Sequence, residues 1–330
     1  MSPTISEKSL AGARDENLLK GALKNLKEQQ FIEYEGEFGA EITTFIPFVA
    51  WLKKEGLLEG RRVLTYDGMR PYYFFLSDDE YQSKSESRRY VPASKRKWPS
   101  NSTYTATRQR WHAPVDYRSH FSGRGRTFDR PVLFIQNKFI VEWNVGPINY
   151  LPLAAIEQLF RISANRFHVV YSRPRNSING KGFVGDHNTN CEYPDLDVAL
   201  RYPHVEILEE TCLQTGADYN TTKLEILAKS HLFVAVQGGG AHVLACFANS
   251  LLLLLDRDVS GVLARENQEF PHAYVAGPYK YLSTPPPILL VARNNDQFVQ
   301  GMRILDRTTI KDGVPVFDPK VVPQVASMRM

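Results

Sequence analysis

Thr221-Thr-Lys-Leu-Glu-Ile-Leu-Ala-Lys-Ser-His-Leu-Phe-Val-Ala-Val-Gln-Gly-Gly-Gly-Ala-His-Val-Leu-Ala-Cys-Phe-Ala248 reads as a helix, a buried strand, a glycine turn and a second helix. Phe233 to Val236 is an unbroken apolar run, the pattern of a strand covered on both faces of a parallel sheet. Gly238, Gly239 and Gly240 lack Cβ atoms where the chain leaves that strand, so backbone can approach a ligand closely. The next helix, expected over His242 to Asn249, would turn free N–H groups and its positive dipole end to the strand's carboxyl edge. That arrangement favours a phosphate or diphosphate. A tight strand-to-helix turn also needs glycine for its own geometry, so the triplet alone admits a purely structural reading.

Outward from this stretch the alternation continues. Val132–Ile135, Phe167–Tyr171, Val205–Leu208, Leu251–Leu255 and Ile288–Ala292 have the apolar, β-branched character of strands. Helical spacing is expected over Leu151–Arg161, around Lys223–Lys229 and over Asp296–Leu305. Strands alternating with helices indicate an α/β chain with a mainly parallel sheet. The N-terminal third is less regular. Leu18, Leu19, Ala22, Leu23 and Leu26 lie at helical spacing in a polar lead-in over residues 1–30. Ile42, Phe45, Ile46, Val49 and Leu52 form a second helical pattern behind the glycine loop Gly36–Gly39, and Pro47 within it implies a helix start or a kink. Val63–Tyr66 and Tyr72–Leu76 read as short strands around the turn Asp67-Gly68. The economical organisation is two Rossmann-like α/β units facing a cleft, 31–130 and 131–310, with a tail over 311–330. Ligands in such folds sit beyond the carboxyl ends of the strands.

The 330 residues carry a formal charge of +4, which hides an asymmetry. Between Lys84 and Arg130 there are 12 basic and 3 acidic residues, a net of +9, so the remainder carries about −5. Tyr90, Trp98, Tyr104, Trp111, Tyr117 and Phe121 are interleaved with these charges, a mixture suited to stacking on sugars or bases, to anionic lipid, or to a solvated loop. Cys191, Cys212 and Cys246 lack metal-ligand spacing and leave one thiol over in any disulfide scheme, so a reducing, cytoplasmic setting is expected. No apolar run reaches the ~20 residues of a membrane span, and no signal-peptide pattern opens the chain.

Pro131-Val-Leu-Phe-Ile-Gln-Asn-Lys138 with Glu142-Trp143, then Phe167-His-Val-Val-Tyr-Ser-Arg-Pro174, then Leu224 to His242, resemble in order the donor-binding half of GT-B glycosyltransferases. The heptosyltransferase-type arrangement is the most similar. Gly36-Glu-Phe-Gly39 resembles the glycine loop of a GT-B acceptor half. Gln237-Gly-Gly-Gly240 stands where heptosyltransferases carry Asp-Ser-Gly-Pro, so the donor sugar is not carried over. The resemblance implies a metal-independent, inverting transferase moving sugar from a nucleotide-sugar donor to a glycan or glycolipid acceptor, such as lipopolysaccharide or capsule, with no cofactor. It would act at the inner face of the membrane as a peripheral protein.

Such a reaction develops negative charge on the departing diphosphate, which needs fixed cations or N–H donors. Lys138, Arg173 and Arg175, on strand-exit loops, are the candidates, beside Gln237 and the three glycines. His242 would donate to a phosphate or hydroxyl, or pack locally. Lys223 and Glu225 lie near the start of the preceding helix, where a carboxylate can accept ribose hydroxyls, and Tyr219 with Asn220 would border the nucleobase. The base that takes the acceptor's proton is expected to be Glu41 or Glu37, with Asp67 or His112 as substitutes. Trp111 and His112 would meet the acceptor. Asp195-Leu-Asp197 has the spacing of a metal pair but is expected in a surface stretch, so no metal is expected. Two other readings compete: a nucleotide-sugar epimerase or hydrolase, and a non-enzymatic nucleic-acid or lipid-surface binding protein built on residues 84–130. Nucleic acid is the least favoured partner because the positive charge is local.

Overall fold

The computed structural model describes residues 7–89, 91, 95, 97–99, 111–142, 145–147, 149–173, 191–256 and 278–328. Helix α1 (Glu7–Glu28) buries Leu19, Ala22 and Leu26, the apolar stripe of its sequence. Strand β1 (Phe31–Glu33) then leads through the glycine loop to a helical segment, α2 (Phe38–Ala40), a π-turn over Glu41–Phe45 and α3 (Ile46–Lys54). Strands β2 (Arg62–Tyr66) and β3 (Tyr81–Lys84) complete a three-stranded parallel sheet, β1-β2-β3.

The π-turn has a local cause. Pro47 lacks the N–H that would reach the Thr43 carbonyl, and the ladder widens so that the Ile46 N–H bonds to the Glu41 carbonyl. His112 Nε2 stands 3.2 Å from the Thr43 carbonyl, the donor the proline cannot supply. Pro47 therefore starts α3 with its axis continued from the turn before it. The strand expected over Tyr72–Leu76 is instead a 3-10 turn, Arg70–Tyr73. Pro71 sets its first helical φ, and Tyr72 and Tyr73 are both buried, which the alternating faces of a strand would not allow on a half-exposed sheet.

Helix α4 (Tyr117–Phe121) precedes the larger sheet. Its elements run β4 (Val132–Gln136), the small antiparallel pair β5 (Val141–Glu142) and β6 (Val145–Pro147), α5 (Leu153–Ser163), β7 (His168–Ser172) and α6 (Asp195–Leu200). There follow β8 (Val205–Ile207), α7 (Leu208–Thr215), α8 (Tyr219–Lys229), β9 (Ser230–Val236), α9 (Gly239–Leu244), β10 (Leu251–Leu255) and β11 (Ile288–Ala292). Helix Asn295–Asp306, hairpin β12 (Thr308–Lys311) and β13 (Val314–Phe317), and helix Val322–Met328 close the chain.

The six long-range strands are all parallel and ordered β8-β7-β4-β9-β10-β11. Counted within the sheet this is 3-2-1-4-5-6, the order of doubly wound folds. Alternation along the strands divides the core. Leu133, Ile135, Val169, Val234 and Leu253 face α5, α6 and the two C-terminal helices. Phe134, Val170, Phe233, Ala235 and Leu252 face α7, α8 and α9, and that core runs without a break into the residues of α1, α3 and β2. Trp98, Trp111, Tyr117 and Phe121 belong to it too, so these aromatics of the basic region fill the interior rather than a stacking surface. Arg118 fastens α4 to the layer of the larger sheet: its guanidinium donates to the carbonyls of Ala228, Ser230 and Ala248 at 2.6–2.7 Å. No described helix is long and apolar enough to cross a membrane.

Candidate ligand-binding crevice

In this strand order the chain leaves β4 towards β7 on one side and returns to β9 on the other, so the exits of β4 and β9 diverge and open a crevice. Lys138 lies two residues beyond β4, and Gln237-Gly238 follows β9 directly. The two exits meet: Lys138 Nζ stands 3.1 Å from where a Cβ on Gly238 would be. Gly238 has φ 142°, so a side chain there would be strained as well as crowded by the lysine. Asn149, itself left-handed at φ 53°, donates from Nδ2 to the Gln237 carbonyl at 3.0 Å. Its buried Oδ1 has no hydrogen-bond partner among the described residues.

The other two glycines are explained by packing. A Cβ on Gly239 would stand 2.8 Å from the Phe38 ring, and one on Gly240 would stand 2.6 Å from Gln136 Cγ. Helix α9 starts inside the glycine run and spans six residues, not His242 to Asn249, so its dipole is short and the anion-binding contribution falls mainly to side chains. The N-terminal glycine loop closes over this turn. Gly39 lies under His242, where a Cβ would come within 2.9 Å of the ring. His242 is buried and pushed down to about 3 by burial, and secondarily by the Lys138 charge, so its imidazole is neutral at physiological pH. Nδ1 lies 2.7 Å from the Tyr279 hydroxyl, whose own proton is held tightly because burial raises its pKa well above the ordinary value. A neutral hydroxyl both donates and accepts, so either tautomer of the imidazole satisfies this contact, and Nε2 lies towards Gly39.

Under the exits of β4 and β7 lies a buried polar floor. Gln136 Nε2 donates to the carbonyls of Asn137 and Ser172, each at 3.2 Å, and its Oε1 accepts from Lys223 Nζ at 2.6 Å. Lys223 is 1 % exposed, and burial pushes its ammonium down to about 8 against the pull of Glu209. Glu209, raised by burial, accepts from Ser172 Oγ at 2.7 Å, and the Tyr219 hydroxyl is 2.9 Å from the same serine. Beside them Arg173, 8 % exposed, forms an ion pair with Asp195, Nε 2.8 Å from Oδ2 but not aligned for a hydrogen bond, and Asp195 accepts from Tyr171 and Asn137. Asp195 is therefore an interior counter-ion, not part of a surface acidic stretch. The Asp195 contact is Arg173's one ion pair among the described residues.

The residues singled out in the sequence separate into two groups. Lys138, Gln237, Gly238, Gly239, Gly240 and His242 converge with Gly39 and Phe38 at the crevice, and Arg173 flanks it at the exit of β7. Glu37 precedes α2 on the closing loop and is half-buried, its carbonyl accepting from the Tyr34 hydroxyl at 2.7 Å. Glu41 is in the interior: its carboxylate accepts from Arg88 at 2.6 Å, Tyr73 at 2.7 Å and Thr65, and both ion-pair partners are fully buried. Trp111 packs edge-to-face on Phe48, His112 is bound to Thr43, and Tyr219 and Lys223 lie in the floor, beneath any ligand. Glu225 points away, against Gly125. Arg175 lies outside the described residues. Gln136, Asn149 and Tyr279 escaped the sequence reading because no spacing links them to the glycine turn; the hydrophobic strand ending in polar Gln136-Asn137 was the available signal. Among the described residues no group of three or more His, Cys, Asp or Glu side chains could hold a metal ion.

No protein-family description matches this chain, and no curated protein or solved structure is significantly similar to it.

Proposed function

We propose that this chain is a glycosyltransferase of GT-B type that transfers sugar from a nucleotide-sugar donor to a glycan or glycolipid hydroxyl. The observation that carries the reading is the meeting of Lys138 with Gly238 at the divergence of β4 and β9, where a doubly wound sheet holds its ligand. In this reading the donor diphosphate lies along the Gln237-Gly238 turn. Lys138 supplies a point charge to the departing phosphate and Arg173, held by Asp195, supplies a planar fork. In this reading His242, neutral at physiological pH, carries its proton on Nε2 and offers it at the junction with the N-terminal loop. Glu37 is the carboxylate on that loop that takes the acceptor's proton, because the Glu41 carboxylate is committed to Arg88.

Calorimetric titration with UDP-, GDP-, dTDP-, CMP- and ADP-sugars tests this directly. One of them is expected to bind, and Lys138→Ala to weaken it roughly tenfold to a hundredfold, the worth of one charge-assisted contact. Binding of none, or an unchanged affinity in Lys138→Ala, would count against the assignment.

A further inference from the structure

The floor of the crevice contains an arrangement with no counterpart in the reading above. Gln136, the last residue of β4, is buried and makes three bonds with one amide: Nε2 to the carbonyls of Asn137 and Ser172, Oε1 from Lys223 Nζ. Its Cγ and Cδ would lie 2.6 and 3.0 Å from a Cβ on Gly240, so the glycine turn rests on this side chain. An amide can face either way with nearly the same shape, and only its neighbours decide which end is oxygen. The two carbonyls demand the NH2 end on one side, and the ammonium, which has no acceptor lone pair, demands the oxygen on the other.

We infer that Lys223 is a positioning residue for the crevice, anchoring the Gln136 side chain and with it the seat of the glycine turn. Tyr219 and Phe134 line the ammonium with their rings at 5.8 and 6.0 Å, so no water replaces the contact cheaply. Without the ammonium, Oε1 faces apolar surroundings as a buried acceptor with nothing to accept. A flip of the amide would set that oxygen against the two carbonyls, so the loss is relieved only by the side chain shifting from its seat, which loosens its bonds at the mouths of β4 and β7 and lets the turn move. Lys223 touches no ligand in this scheme, and its effect passes through Gln136. The link to nucleotide affinity rests on the proposed function; the link to the turn does not.

The experiment compares Lys223→Met, Gln136→Met and the double variant, reading hydrogen exchange over residues 237–245 and calorimetric affinity for UDP and GDP. Each single variant is expected to speed exchange in that segment and to weaken the nucleotide that binds by about tenfold, the cost of one orphaned buried group. The double variant loses the same donor to the Asn137 and Ser172 carbonyls as Gln136→Met but no longer strands the ammonium, so it is expected to be no worse than Gln136→Met alone. Wild-type exchange in Lys223→Met, or additive losses in the double variant, would overturn the inference. If wild type binds neither UDP nor GDP, the exchange comparison alone decides the role of Lys223. If Lys223→Met does not fold, Gln136→Glu serves instead. It keeps the Lys223 contact and sets an acceptor against two carbonyls, so fast exchange at 237–245 is expected and wild-type exchange refutes the inference.

Discussion

Glu41→Gln distinguishes a structural carboxylate from a catalytic one, and the interior around it sets the size of the effect. Arg88 Nη2 lies 2.6 Å from Glu41 Oε2, and neither side chain is exposed. The guanidinium is also covered by the ring of Tyr66, 4.2 Å from its centre, with Phe38 at 5.4 Å. Glutamine can keep its oxygen towards Tyr73 and Thr65, but its NH2 then meets the Arg88 N–H groups, donor against donor, and the guanidinium has lost its counter-ion. Breaking one side of a buried pair costs about 3–5 kcal/mol. Against a total stability on the order of 5–15 kcal/mol, that is a large share. Urea unfolding followed by circular dichroism should show the loss as a lower midpoint with an unchanged slope. Arg88→Met should cost a similar amount, and the double variant should cost less than the sum, since each removal then leaves no stranded charge. A Glu41→Gln variant that unfolds within about 1 kcal/mol of wild type would mean that the buried pair with Arg88 contributes little to stability.

Two further outcomes follow from buried charges and rings. His242 is neutral in the fold, with its pKa lowered to about 3, whereas the unfolded chain protonates near 6.5. Between those values the unfolded state binds the extra proton, so stability falls as pH drops from 6.5 towards 3, by at most about 1.4 kcal/mol per pH unit for one site. His242→Gln, which keeps a neutral polar group beside Tyr279, should flatten that slope in thermal unfolding at pH 4–7; an identical slope would show that the proton is taken elsewhere. Arg118→Ala strips the donor from three backbone carbonyls and from His231 and should lower stability by roughly 3 kcal/mol or more in urea, because hydrogen bonds from a charged group are among the costlier ones to lose. A loss below about 1 kcal/mol would mean that other contacts hold α4 against the larger sheet.

The parallel α/β class was written in the chain, because the signals that carry it are local. Five leucines from Leu251 to Leu255 and the run Phe233 to Val236 are apolar on both faces, which only a covered strand needs, and both are central in the sheet. The meeting of the Gly36–Gly39 loop with the Gly238–Gly240 turn was suggested by two separate glycine runs, but what the glycines accommodate was decided by packing: Phe38, Gln136 and His242 occupy the space their absent side chains leave. Tyr72-Tyr73 carried strand propensity and became a turn because both rings are required in the core. Sequence could not tell Glu37 from Glu41, four residues apart on one helical start. Only the folded chain brings Arg88, Tyr73 and Thr65 from distant positions around the second carboxylate and leaves the first on the closing loop. Residue type and periodicity determined where strands lie and where cations cluster. Which of those groups are desolvated, paired or left facing the crevice depends on contacts between residues far apart in the chain, 112 positions for Arg118 and Ser230, and these exist only in the tertiary structure.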